Sequence, residues 1–142
     1  MTIPGSGKCP VAFALDIIGD RWSLLIIRDM LFRGKSRYGE FAKSSEKIAT
    51  NILSNRLTRL EDASIVARIP DGKRHAYRLT ARGADLIPVI LELIIWSARH
   101  DPQPNGRENI LHGAPPDLLE RAENDRDALV AELRASLSPG AP

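Results

Sequence analysis

Across this 142-residue chain, apolar residues recur mostly at helical steps and give way once to a pair of short strand-like runs. The first stretch, "VAFALDIIG", follows Pro10, which suits the opening position of a helix because the N–H it lacks would be unpaired there. Cys9 is then placed as its cap, and Gly19 ends it. A second helix is predicted from about Trp22 to Phe32, stopped at "RGKSR", and a short third one around "YGEFAK". After the polar turn "SSEK" comes "IATNILSNRLTRLEDASIV", in which Ala49, Leu53, Leu57 and Leu60 share one helical face until about Ala63. Two short helices around a tight turn predict a helix-turn-helix. Next, "IVARI" and "HAYRL" flank the tip "PDGKR", and Asp-Gly between such runs predicts a β-hairpin.

Thr80 is expected to cap a long helix reaching about His100, with Pro88 bending or breaking it. Between Leu86 and Trp96 this helix is apolar nearly all round, so it must be buried on more than one side, and a partner subunit is the expected cover. The Pro-, Gly- and Asn-rich stretch 101–116 reads as a linker. It leads to an amphipathic terminal helix over 117–138, capped by Asp117, with a stripe of Leu118, Ala122, Leu129, Leu133 and Leu137. That helix is expected to pack on the body or on a partner. The whole, 1–142, reads as a single mainly α domain with a small hairpin wing, a winged helix-turn-helix. Residues 1–20 carry the first helix, 21–80 the core and 81–100 the long apolar helix.

The polar side of the helix after "SSEK" is unusual. Thr50, Asn51, Ser54, Asn55 and Thr58 lie opposite the leucines, with Arg59 on the flank and no carboxylate before Glu61. A merely solvated face mixes Glu and Lys at four-residue spacing, whereas Asn, Ser and Thr weaken a helix. They are, however, the side chains that hydrogen-bond to base edges in a major groove. Charge strengthens that reading: the segment 33–82 holds 12 Lys and Arg against 5 Asp and Glu, a balance of +7 in a chain of net +2. Concentrated basic charge marks a nucleic-acid surface. Lys35, Arg37, Lys43, Lys47 and Arg59 are phosphate candidates, and Lys73 with Arg74 could enter the flanking minor groove. Arg56 falls near the apolar stripe, where a phosphate contact and a structural salt bridge stay equally open.

Other classes fall away. There is no Gly-rich phosphate loop or nucleophile motif, and His75, His100 and His112 have no metal-ligand spacing with one another or with Cys9, so an enzyme, a metal site and a cofactor are not expected. The stretch "LIPVILELIIW" is short of the roughly 20 residues a membrane span needs and contains Glu92. With no leader-like start and one cysteine, a cytoplasmic location is the expectation. The thiol of Cys9, at a helix N-terminus beside Lys8, stands in electropositive surroundings that favour reactivity, while the bland alternative is a structural thiol. A reversible disulfide there would need a second subunit or a small thiol.

The order of elements, with "CPV" at the first helix, "IIGDRWSLLIIRDML" over Ile17–Leu31, "LSNRLTRLED" over Leu53–Asp62, "YRLTARG" over Tyr77–Gly83 and "LIPVI" just after, resembles the HxlR-type bacterial winged helix-turn-helix regulators, relatives of the MarR-like regulators. The resemblance implies a sequence-specific DNA-binding transcriptional regulator, a homodimer on a near-palindromic operator of double-stranded DNA. Its interface would come from the first and long last helices, here Phe13, Ile17, Leu86, Ile90, Leu93, Ile94 and Trp96. Trp22, Trp96 and Phe13 are read as filling that dimer core rather than lining a ligand cavity. Some such regulators sense oxidants or electrophiles through a cysteine matching Cys9, which would make a small-molecule or thiol-reactive signal the effector. Three departures stand out: Ala49 occupies the position where the family tends to place a Ser cap, leaving Thr50 or Ser45 to substitute; the wing is short; and the acidic terminal helix lies beyond the usual family end. The alternative function is a winged-helix protein-interaction module, which would need an exposed apolar patch on the wing or recognition helix.

Overall fold

A computed structural model describes residues 9–102 and 113–137. Lys8, His112 and most of the expected linker lie outside the described residues. Helix α1 (Pro10–Ile18) starts as its sequence requires: Cys9 Sγ accepts a hydrogen bond from the Ala12 N–H at 3.3 Å, and Gly19 closes the other end. Helix α2 (Ser23–Arg33) is the centre of the molecule, with Ile26, Ile27, Met30, Leu31 and Phe32 buried. Asp20 caps it, and Gly34 ends it in the left-handed conformation (φ +61°) that only glycine adopts without strain.

Helix α3 (Tyr38–Ala42) inserts Phe41 into the core, and α4 (Thr50–Asp62) lays Leu53, Leu57 and Leu60 on the same core. Ala49 is the N-terminal flanking residue of α4 and makes no side-chain cap; neither Thr50 nor Ser45 supplies one. The wing is the antiparallel pair β1 (Val66–Asp71) and β2 (Arg74–Leu79), in register from Val66↔Leu79 to Asp71↔Arg74, with Gly72 (φ +66°) in its two-residue turn.

The region after the wing differs from expectation. Thr80 does cap a helix, accepting from the Gly83 N–H at 3.0 Å, but that helix is one turn, α5 (Ala81–Ala84). The chain then restarts as α6 (Ile87–His100), with Pro88 in its first turn, so of the two expectations the break holds and the proline begins a helix rather than bending one. The terminal stretch is likewise two helices, α7 (Leu118–Asn124) and α8 (Arg126–Leu137), divided at Asp125. Both pack on α6 of the same chain, burying Leu118, Ala122, Leu129 and Leu133. Arg126 pairs with Glu92, and Arg134 Nη1 lies 2.9 Å from Asp85.

Those two helices correct the interface prediction. Ile90 and Ile94 are 5% and 6% exposed within the chain's own core and cannot face a partner. Leu86 is half-buried against the same core, whereas Leu93 and Trp96 stand 49% and 65% exposed on the other side of α6. Val89 on α6 and Val11 and Leu15 on α1 are exposed as well, while Phe13 and Ile17 are half-buried. Trp22 packs against the chain's own core rather than an open face.

Candidate nucleic-acid interface

The inner leucines of α4 fix its rotation, and every residue of the polar row then faces outward: Thr50, Asn51, Ser54, Asn55, Thr58 and Arg59 are all exposed. Tyr38 borders the row from α3. Its hydroxyl donates to the Thr50 carbonyl at 2.9 Å and accepts from Ser54 Oγ at 3.3 Å, tying the first turn of α4 to the preceding helix. Sequence reading missed Tyr38, although an aromatic at the start of the short helix was the signal available.

The seat of α4 is set from behind. Arg28 lies on α2 and makes a bidentate pair with Glu46 in the turn before α4, both contacts at 2.8 Å. The same guanidinium reaches Asp29 through Nη2 at 2.9 Å and Nε at 3.1 Å. Asp29, only 2% exposed, also takes Arg33 Nη1 at 3.1 Å, Lys35 Nζ at 3.4 Å and the Ser44 hydroxyl. Charged groups this deep are tolerated because each lone pair and donor is matched. The Arg28 hydrogen bonds, working against partial burial, pull the Glu46 carboxyl down to about 2. Sequence reading missed this network, since Arg28, Asp29 and Glu46 look like solvated residues when only periodicity is considered.

The wing is stitched to α3. The Tyr77 N–H donates to the Ser36 carbonyl at 2.7 Å, the Phe41 and Tyr77 rings meet edge to face at 6.5 Å, and Arg37 pairs with Asp71 at the tip. On β1, Arg68 pairs with Glu61 at the end of α4 at 3.1 Å. Glu40 accepts from the backbone N–H groups of Ser36 and Arg37, which hold its carboxyl below the usual range.

These partners sort the basic residues. Lys43, Lys47, Lys73 and Arg74 are exposed and have no acid paired to them among the described residues. Arg59 is exposed, and its Nη2 donates to the Asp16 carbonyl at 3.4 Å. Three candidates are engaged: Lys35 by Asp29 and Ser44, Arg37 by Asp71, and Arg56 by Asp20 at 2.9 Å. Arg56 does form a salt bridge in the free chain, because its position near the apolar stripe turns the guanidinium toward Asp20 at the start of α2. Cys9 is exposed at the tip of α1. Among the described residues, no group of three or more His, Cys, Asp or Glu side chains is placed to hold a metal ion, and no helix is long and apolar enough to cross a membrane.

Comparison with known proteins agrees with this geometry. The profile of the HxlR-like helix-turn-helix family matches residues 17–104. An uncharacterized HTH-type transcriptional regulator of Mycobacterium tuberculosis is 39% identical over 99 residues, which are 68% of this chain and 61% of that protein. The chain thus matches about three fifths of the length of that relative. Among solved structures, PA1607, described as a candidate transcription factor, superposes with a TM-score of 0.64 at 40% identity over 70% of each chain. The quinone-bound form of YodB from Bacillus subtilis superposes with a TM-score of 0.54 at 32% identity, over 64% of this chain and 99% of that one.

Proposed function

Because the chain belongs to the HxlR-like helix-turn-helix family, and is therefore a transcriptional regulator of helix-turn-helix type with a winged DNA-binding fold, we propose that it acts as a homodimer on a near-palindromic operator. In this reading α4 enters the major groove, the wing tip approaches the flanking minor groove, and the exposed apolar side chains of α1 and α6 meet the second subunit. The observation that carries it is the outward row of α4: amides and hydroxyls in the open, backed by leucines and by the Arg28–Glu46 clamp. Asn51, Ser54, Asn55 and Thr58 read base edges. Lys43, Lys47 and Arg59 take phosphates, and Lys73 with Arg74 serve the wing. Residues 1–142 work as one unit, with α7 and α8 a cover for α6 rather than a DNA-binding part.

Selection of bound sequences from randomised duplexes tests this directly. Asn51→Ala should relax preference at one position of each half-site, costing about 1–3 kcal/mol against the preferred base. Arg74→Ala should weaken all sequences alike and lower the salt slope by about one. Uniform weakening by Asn51→Ala would assign that residue to the backbone, and a winged-helix adaptor would select no sequence at all.

The quinone-bound form of YodB and the exposure of Cys9 support a further part of the reading, in which Cys9 is where an electrophile acts. An added group on Sγ alters the cap of α1, the helix that carries Val11 and Leu15 toward the partner. Treatment with a maleimide should therefore reduce operator affinity in the native protein and leave Cys9→Ser unaffected. Unchanged affinity of the fully alkylated protein would remove Cys9 from the signalling role.

A further inference from the structure

On the outward row of α4, Asn55 differs from its neighbours because its amide is already oriented: Oδ1 accepts a hydrogen bond from Arg56 Nη1. Arginine has donors only, so this contact decides which end of the amide faces it, turning oxygen toward Arg56 and leaving the Nδ2 amine free. Arg56 is held in its turn. Its Nε donates to Asp20 Oδ2 at 2.9 Å, and both side chains are largely buried. Asp20 is immobilised at the start of α2, where Oδ2 accepts from the Trp22 N–H at 2.9 Å and the Ser23 N–H at 3.0 Å, and Oδ1 from the Ser23 hydroxyl at 2.5 Å. Burial pushes the Asp20 carboxyl up, but the bonds from Ser23, Trp22 and Arg56 outweigh it and keep the group below its ordinary range, hence charged.

We propose that the series Asp20, Arg56, Asn55 sets base specificity: it holds the Asn55 oxygen toward Arg56 and presents the Nδ2 amine to the groove, in place of the side-by-side donor and acceptor with which a freely turning asparagine reads adenine. The inference rests on α4 being the base-reading helix. An unconstrained asparagine accepts from adenine N6 and donates to N7. With Oδ1 held toward Arg56, the amine that leads into the groove fits acceptor edges, of which guanine presents two, N7 and O6. Arg56 is a positioning residue here, acting through Asn55 rather than on DNA, and Asp20 fixes Arg56.

The position read by Asn55 is found first, as the one that Asn55→Ala relaxes in selection from a randomised duplex pool. The selected duplex is then made with each of the four base pairs at that position and its binding compared across variants. Arg56→Met frees the amide and should move the adenine-to-guanine affinity ratio there toward adenine by about tenfold. Arg56→Lys keeps charge and fold but loses the planar fork, and should shift the ratio the same way. In an Asn55→Ala background neither change should move it. Because the readout is a ratio of two affinities of one preparation, a loss of folded fraction does not mimic it. Equal weakening on all four duplexes, a wild-type ratio in Arg56→Lys, or a shift that persists with Asn55→Ala would overturn the proposal while leaving α4 as the reading helix. Failure of Asn55→Ala to relax any position would instead sink the base-reading role of Asn55 and this inference with it.

Discussion

Arg28→Met is expected to lower the stability of the fold by about 3 kcal/mol, because it strips the bidentate partner from Glu46 and leaves Asp29, 2% exposed, to be matched by fewer donors. For a domain of this size that is a fall of about 10 °C in midpoint. The larger interest is where the loss appears. Arg28 belongs to α2 and Glu46 to the turn that aims α4, so the variant should lose operator affinity under conditions in which it is still folded. Urea titration and DNA titration of the same preparation separate the two effects; a variant with native stability would show that Asp29 and Glu46 are satisfied without Arg28.

The same clamp has a pH signature. The Glu46 carboxyl is lowered in the folded chain from 4.5 to about 2, so its contribution to stability is fully present above about pH 4.5. It is then lost as pH falls through about 2, where the folded form takes up its proton. Glu46→Gln has no such group to titrate. The stability gap between the native protein and Glu46→Gln should therefore be constant near neutrality and shrink between about pH 4.5 and 2. A gap that stays constant throughout that window would mean the pair contributes through packing alone.

The second large effect concerns assembly. Leu93→Glu combined with Trp96→Glu should convert the proposed dimer to a monomer and lower operator affinity about 10²–10⁴-fold, since two half-sites would no longer be engaged together. Both side chains are exposed in the single chain, so monomer stability should change by no more than about 0.5 kcal/mol. Ile90→Glu supplies the contrast: it lies inside the core and should unfold the chain. Sedimentation checks the first pair and thermal melting the second. Dimers that persist with two carboxylates at 93 and 96 would place the subunit contact elsewhere.

The parts of the fold that were legible in the sequence are those where a period or a turn residue leaves one physical solution. The leucines of α4 have to face inward, and Asp71-Gly72 between two β-like runs has to turn. A helix that is apolar all round, such as α6, does not say which neighbour covers which face, and its own terminal helices take the side assigned to a partner through Ile90 and Ile94. Asp125 divides the terminal stretch, although its leucine stripe reads as continuous. Arg28 and Asp29 were hidden for the opposite reason. A charged pair in "SLLIIRDMLFR" looks solvated until the turn holding Glu46 folds over it. In the candidate interface, exposure of the polar row was legible, whereas the engagement of Lys35, Arg37 and Arg56 depends on acids distant in the chain.

Arg37 and Asp71 carry one last consequence. In the free protein a carboxylate already neutralises the guanidinium that a phosphate would occupy, so contact with DNA exchanges one anion for another and sets few solution ions free. The steepness with which added electrolyte weakens the complex will consequently fall below what a tally of lysines and arginines around α4 suggests, and the missing increment will return when Asp71 is made asparagine.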